Sequence, residues 1–544
     1  MEIGIFCIAS CAWSLVMFTQ EKNIPFRANK IHFFIILWIS FVIVRSLLLD
    51  IVEEYRTIYL CFTLFAILPL SYLIDARLLN RKEIEFGLIL IAIIHLVYMC
   101  GQLIGFAESG NAYYKVTGSN ENPSVTAIYL AGYIPLVAKR VACNEHRGLY
   151  AFIIILSLVA IILLRCRTAY FGLCIEFLVF LLLTARRYKN IQQVISKYKI
   201  GIAFAVMLLA IPICMRTYNM KRDSSDSRWL IWKLSAQMIA ENPQGYGYGL
   251  FEKHYNLRQA EYFSSDKGTI IEKRTASFCN MAYNDYLEHG VEGGIVGGLF
   301  LIAFYVLLIV KSVRSGDMEV LCVVSGLAAM SLTNFVYSSM QPWWLLVCCA
   351  PFITTQSGQV GIGHKYGILL FIMMAFFFTI MASKVVQMTM SQLELKSYFQ
   401  TVTKGEKVLS EELQSLKTRI GTSEAYWNTC AYNSMLSDNY ADAVKYLDNA
   451  SMYTSAKQNY MAHYIAYQSM GQESKGIQYI DTLCHIQPSL LRPKLLLMEY
   501  YNKVGDTQNA LTYAKEILAT KPRVRNIESS YIQSKASEYI ETRR

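Results

Sequence analysis

Up to about residue 385 the chain alternates apolar runs of roughly 16–22 residues with short polar stretches, and beyond that point the alternation stops. A helix of that length crosses the hydrocarbon core of a bilayer. Twelve spans are expected, at about 3–18, 32–49, 57–75, 86–106, 123–138, 149–164, 168–185, 199–215, 291–311, 319–337, 342–356 and 366–384. One polar interval, Ser224 to Gly297, is longer than any other before residue 385. The pattern predicts an all-α fold: a polytopic transmembrane helix bundle of about 12 spans, a large extracytoplasmic loop and a C-terminal α-solenoid. Spans one to eight fill residues 1–215, the loop 216–290, spans nine to twelve 291–384, and helical repeats 385–544.

Charge orients the bundle. Lys22/Arg27/Lys30, Arg77/Arg81/Lys82, Lys139/Arg140/Arg147, Arg186/Arg187/Lys189/Lys197/Lys199 and Lys311/Arg314 fall in every second loop. Those loops are expected on the cytoplasmic side, which puts the large loop and both termini outside. The net charge of +11 is thus a topology signal and implies no nucleic-acid partner. The 14 cysteines lie mostly in apolar runs, and no Cys/His spacing suits a metal. Residues 3–18 lack a small-residue cleavage pattern and are expected to remain as a span. Charges within or beside spans need a reason. Snorkelling to headgroups is the bland reading for Arg45, Arg165 and Arg167, and for Arg45 a functional role stays equally open. Arg167, in a short outer turn facing the same side as the large loop, is a functional candidate.

From residue 385 onwards a spacing recurs. Gly471 is followed by Gly476 and Pro488, and Gly505 by Ala510 and Pro522, with an offset of 34 residues. Tyr440–Leu447 forms an earlier unit with a one-residue slip. The period and the segments Gly505–Leu511 and Ala519–Pro522 resemble tetratricopeptide helix pairs, which bury their small and apolar positions by stacking. No residue here suggests catalysis; a protein partner is the expected use.

The large loop has three parts. Asp226 or Ser227 is expected to cap a helix running to about Glu241, where Pro243 ends it. Leu230, Leu234 and Met238 form an i, i+4 stripe, with Arg228, Trp232 and Ser235 on another face. Such a helix lies on the membrane surface or packs on the bundle. Gly245-Tyr246-Gly247-Tyr248-Gly249 follows, a pattern that lets the backbone approach a ligand closely and expose N–H groups to an anion, or that serves as a flexible turn. His254, Arg258, Lys267, Lys273 and Arg274 make the next stretch basic. Finally Asn284, Asp285, Glu288, His289 and Glu292 enter span nine. The last four share a helix face by i+3 and i+4 steps, either as a general-base cluster or as the polar end of the span.

Several ordered motifs together resemble the bacterial O-antigen ligase/polymerase family of membrane glycosyltransferases, over roughly residues 30–360. They are Asn122-Pro123, Cys166-Arg167-Thr168-Ala169, Arg228-Trp229-Leu230-Ile231-Trp232-Lys233, Asn242-Pro243-Gln244-Gly245-Tyr246-Gly247, and Ala282-Tyr283-Asn284-Asp285-Tyr286-Leu287 with Gly290 and Gly293-Gly294-Ile295. The resemblance implies an inverting GT-C-type enzyme of the bacterial cytoplasmic membrane, acting on its outer side. It would move a glycan from an undecaprenyl-diphosphate carrier to an acceptor hydroxyl on lipid A–core, another glycan unit or a protein. No cofactor or metal is implied. Arg167 and Arg228 match the family's two arginines and would bind the diphosphate, a role that suits bidentate guanidinium.

One departure stands out. Where many ligases have Ala-His-Asn, this chain has Ala282-Tyr283-Asn284, and tyrosine, with an ordinary pKa of about 10, is a poor base. Three expectations follow. Tyr283 positions the acceptor while Asp285, Glu288 or His289 is the base; the chain is a polymerase or protein-glycosylating branch without the histidine; or ligase activity is lost. The substrate-loop candidates are Trp232, Gly245, Tyr246, Gly247 and His254. Two other classes remain open: a transporter or channel, though no inverted repeat supports one, and a membrane-anchored assembly scaffold built on the repeats.

Overall fold

The computed structural model describes residues 27–75, 77, 79–187, 222–265, 267–354, 360–361, 364–522 and 526–543. Apart from a two-residue antiparallel pairing of β1 (Arg27–Ala28) with β2 (Val360–Gly361), the described elements are helices. The chain is a polytopic helical membrane protein. Among the described residues, 7 helical stretches are long and apolar enough to cross a bilayer. They are α1 (Lys30–Leu47), α2 (Glu54–Asp75), α3 (Arg81–Ile104), the abutting α4 (Pro123–Gly132) and α5 (Ile134–Ala142), α6 (Arg147–Leu164), α7 (Arg167–Arg187) and the later α11 (Asp285–Ser315). The spans expected at 3–18 and 199–215 lie outside the described residues.

Two of the later spans differ in length from expectation, and a third is as short as expected. Those expected at 319–337 and 342–356 are α12 (Met318–Ser331) and α13 (Met340–Thr354), of 14 and 15 residues, shorter than the roughly 20 a bilayer core requires. Both are almost wholly buried inside the bundle, so their apolar faces meet neighbouring helices. The span expected at 366–384 continues as α14 (His364–Thr403) for 40 residues. Helix α2 is the hub. It packs on α1, α13 and α14, and it is buried all round, from Leu60 through Leu73. That explains its continuous apolar sequence, where a surface helix carries a one-sided stripe.

The large loop folds as a unit with its own core. Helix α8 (Arg222–Glu241) starts before the expected cap and ends as expected ahead of Pro243; α9 (Phe251–Ser264), α10 (Ile270–Thr275) and the start of α11 complete it. The stripe Leu230, Leu234 and Met238 is buried against Phe251, Tyr255, Ala282 and Val291. Each such side chain contributes about 1.5–3 kcal/mol through removal from water, so packing on protein is the loop helix's resting place.

After α14 come α15 (Ser410–Ile420), α16 (Glu424–Met435), α17 (Tyr440–Ala450), α18 (Lys457–Ser469), α19 (Glu473–Ile486), α20 (Leu491–Lys503), α21 (Thr507–Ala519) and α22 (Ile527–Glu541). Contacts run between successive helices, α16 on α17, α18 on α19, α20 on α21, and each pair on the next. Gly471 and Gly505 take positive φ at the turns after α18 and α20, a conformation glycine adopts without steric cost. This region touches the loop: Gln259 Nε2 donates to the Ile486 carbonyl at 2.6 Å. Glu252 accepts from the Thr454 hydroxyl at 2.8 Å and the Ser455 N–H at 2.9 Å.

Candidate functional site

A cavity of about 550 Å³ opens where the turn before α7, the start of α8 and the segment 277–283 meet. Arg165, Arg167, Asp223, Arg228 and Tyr283 line it, with Asn122 at its edge. Each is brought there by a local device. Arg167 is the first residue of α7, and its Nη1 donates to the Ser225 hydroxyl at 2.8 Å. Arg228 lies on the side of α8 away from the apolar stripe. Its Nη1 donates to the Thr333 carbonyl at 2.6 Å, and its guanidinium lies over the Tyr283 ring at 4.8 Å, a cation–π contact. Burial, then the nearby charge of Arg167, hold Arg228 below the ordinary arginine range. Two guanidiniums so close repel each other, and an anion between them relieves that repulsion.

Tyr283 is presented by a chain pinned on both sides. The Ala282 N–H donates to Glu288 Oε2 at 2.9 Å, and the Ala282 carbonyl accepts from Trp232 Nε1 at 3.1 Å. Asn284 caps α11, its side-chain oxygen accepting from the Tyr286 and Leu287 N–H groups, both at 3.1 Å. Tyr283 itself has φ of 50°, the left-handed region that a bulky residue rarely occupies. Burial, then the neighbouring Cys279, push its hydroxyl above the ordinary tyrosine value. The phenol therefore stays protonated at neutral pH and can orient a ligand by hydrogen bonding.

The other polar residues of the α11 N-terminus lie away from the cavity. Asp285 Oδ2 accepts from the N–H groups of Val336 at 2.9 Å and Tyr337 at 3.0 Å, which ties the turn after α12 to α11. Glu288 pairs with Arg56 at 2.8 Å and accepts from the Ser338 hydroxyl at 2.9 Å. His289 is fully buried, its ring 4.2 Å from that of Tyr337 and 5.8 Å from those of Trp38 and Tyr248. Neither of its ring nitrogens has a hydrogen-bond partner among the described residues.

The glycine segment forms a seam. Helix α11 breaks at Gly294, with φ 70° and ψ −169°, and the loop backbone fills the break. Tyr246 N–H donates to the Val291 carbonyl at 2.9 Å, Gly247 N–H to the Glu292 carbonyl at 2.8 Å, and Ile295 N–H to the Pro243 carbonyl at 2.9 Å. Gly249 N–H reaches Glu292 Oε1 at 2.9 Å, and Arg45 Nη2 holds the Gly245 carbonyl at 2.8 Å. A Cβ on Gly245 would sit 2.3 Å from the Gly294 nitrogen. The sequence pattern suggested close approach to a ligand or a flexible turn; the approach observed is to the protein's own broken helix. Tyr246 stacks on His254 at 4.6 Å. Burial, then Lys253, lower His254 to about 4, so it is neutral at pH 7.

Sequence reasoning passed over Asn111, Tyr114, Asp223 and Asn334 and read Ser227 only as a helix cap; all five line the cavity. They come from three separate segments and share no spacing. Only Asn122-Pro123, a helix-start signature, hinted at the cavity from that side. Arg165 is visible in the sequence as a charge beside a span, with contact to headgroups as its bland reading.

The protein-family model described as O-Antigen ligase matches residues 152–302. The matched stretch holds Arg167, Arg228 and Tyr283. No curated protein matches the chain.

Proposed function

We propose that this membrane protein, whose residues 152–302 match the family model described as O-Antigen ligase, is a glycosyltransferase that moves a glycan from a polyprenyl-diphosphate carrier, undecaprenyl diphosphate by the family's habit, to an acceptor hydroxyl. The observation that carries the reading is the cavity in which Arg167, Arg228 and Tyr283 converge. The two arginines are anchored by Ser225 and Thr333, so they meet the diphosphate without reorganising. The acceptor oxygen attacks the anomeric carbon, the carbon–oxygen bond to the diphosphate breaks, and the electron pair leaves on the phosphate oxygen. Attack from the face opposite the leaving group inverts that carbon. Tyr283 orients the acceptor hydroxyl, and Asp223, the carboxylate in the described lining, is the candidate base once it parts from Arg274, with which it pairs at 2.9 Å. Asn284, Asp285, Glu288 and His289 serve as positioning residues, with Trp232, Gly245, Tyr246, Gly247 and His254 shaping the loop.

Tyrosine in place of the ligases' histidine favours an acceptor other than lipid A–core, namely another glycan unit or a protein hydroxyl. The positive-inside pattern supports a bundle of about twelve spans with the loop and C-terminal helices outside the inner membrane. Helix starts recur at Glu424, Lys457 and Leu491, and at Tyr440, Glu473 and Thr507. That periodicity supports tetratricopeptide-like repeats, which would bind a periplasmic protein. Glycan profiles of cells with and without the protein test the assignment, taken on lipid-linked, surface-polysaccharide and glycoprotein fractions. Loss of long chains with single carrier-linked units retained marks a polymerase, bare lipid A–core a ligase, and change in glycoproteins alone a protein acceptor. Unchanged fractions would leave a scaffold or transporter.

A further inference from the structure

We infer that Arg165 is a third diphosphate-directed residue, matched to the charge that appears on the leaving diphosphate as the glycosyl bond breaks. The inference rests on the polyprenyl-diphosphate reading above and concerns a residue outside the two arginines that reading uses.

Three observations carry it. Among the described residues, the charged side chains lining the cavity are Arg165, Arg167, Arg228 and Asp223, and Asp223 is engaged by Arg274 at 2.9 Å. The lining is therefore richer in cations than a bound diester needs. A diphosphate esterified at both ends carries one negative charge per phosphorus, two in all, which Arg167 and Arg228 balance. When the anomeric carbon–oxygen bond breaks, its electron pair stays on the terminal phosphate oxygen and a third charge appears. Interactions that strengthen only as the bond breaks accelerate the reaction, whereas those already made in the bound state do not.

Second, Arg165 closes α6 with φ 48° and ψ 41°. Glycine fills such a position without strain, and a bulky L-residue does not. Strained residues concentrate where the side chain has work to do, and Tyr283, across the same cavity, has the other left-handed backbone in its lining. Third, the Arg165 guanidinium is exposed and makes no hydrogen bond or ion pair among the described residues, in contrast to Arg228 on Thr333. It is available to follow charge. The bland alternative is favourable contact between a cation and the C-terminal dipole of α6, which would affect stability and leave ligand discrimination untouched.

The test compares two ligands on the full-length protein in detergent. Farnesyl diphosphate ends in a phosphate whose second ionisation lies near pH 6, so it carries three charges at pH 8 and about two at pH 5.5. Its terminal methyl ester carries two at both. The other titratable groups lining the cavity are Tyr114, Cys166, Asp223, Cys279 and Tyr283, and all are shared by the two measurements. The wild type should prefer farnesyl diphosphate by about tenfold at pH 8, the scale of one charge-assisted contact, and lose the preference at pH 5.5. Arg165→Gln should bind both ligands alike at pH 8 with the ester's affinity unchanged. Arg165→Lys should restore part of the preference. Arg165→Gly, which relieves the backbone, should fold and behave as the Gln variant does. Retained preference in Arg165→Gln and Arg165→Gly, or equal loss of affinity for both ligands, overturns the inference. If the wild type binds neither ligand, or binds both after Arg167→Gln and Arg228→Gln, the diphosphate reading itself fails and takes the inference with it.

Discussion

Tyr283 shows how a single residue carries both an identity and a problem. Its place before Asn284 is where the proposed function puts the acceptor, yet burial raises its hydroxyl above the ordinary value, which removes it as a base at neutral pH. Its ring supports Arg228 from 4.8 Å, and its hydroxyl is left for the acceptor. Separating the two roles is straightforward. Tyr283→Phe keeps the ring under Arg228 and should lower kcat about tenfold, the loss of one hydrogen bond, with the donor's KM unchanged. Tyr283→Ala removes both and should raise the donor's KM as well. Steady-state kinetics on membranes check this, and a Phe variant at full rate would deny the hydroxyl any part. Arg167, Arg228 and Tyr283 were legible because short motifs name them. Asp223 and Asn334 were not, because folding alone brings them beside those motifs.

At the scale of elements, the break in α11 is where the glycine segment docks. Glycine at 294 lets the helix open, and Gly245 to Gly249 close against the opening. A sequence reports that glycines can approach something closely and is silent on what they approach; here it is the protein's own backbone. Gly245→Ala places a methyl group 2.3 Å from the Gly294 nitrogen at φ 82°. Strain of this kind costs roughly 1–3 kcal/mol, and the seam has no flexible side chain to yield. The expected outcome is a lower thermal midpoint and loss of glycan transfer, both read on purified protein. Alanine at Gly148, where a Cβ meets nothing within 4 Å, should change neither. Apolar runs predicted the long helices well because bilayer thickness fixes their length. Helix α12 fell short because burial in protein, unlike burial in lipid, sets no minimum length.

For the whole molecule, the loop is the junction. Its core rests on α11, and α9 reaches the C-terminal helices through Glu252, Lys253 and Gln259. Lys253 Nζ donates to the Met452 carbonyl at 2.9 Å. Burial raises Glu252 from 4.5 to about 7, against hydrogen bonds from Ser455 and Thr454. An acid with a raised value in the folded state holds a proton that the unfolded chain has released. Its favourable contribution is therefore complete below pH 4.5 and is lost as the pH rises through 7. The thermal midpoint of the wild type should fall between pH 5 and 8, and Glu252→Gln should flatten that fall; an unchanged slope would show that other groups govern it. The alternation of apolar runs made the membrane helices readable in the sequence. The contact between the loop and the C-terminal helices was not, since Glu252, Thr454 and Ser455 have no pattern in common.

The central claim is that Arg167 and Arg228 hold the diphosphate of a glycan donor. The most direct measurement is glycan transfer in cells whose own copy is replaced by Arg167→Lys, Arg228→Lys or both, at matched membrane abundance. Lysine keeps the charge and loses the bidentate fork. The account predicts transfer reduced at least tenfold by either change and abolished by both, with carrier-linked glycan accumulating. Normal transfer by the double variant would contradict it.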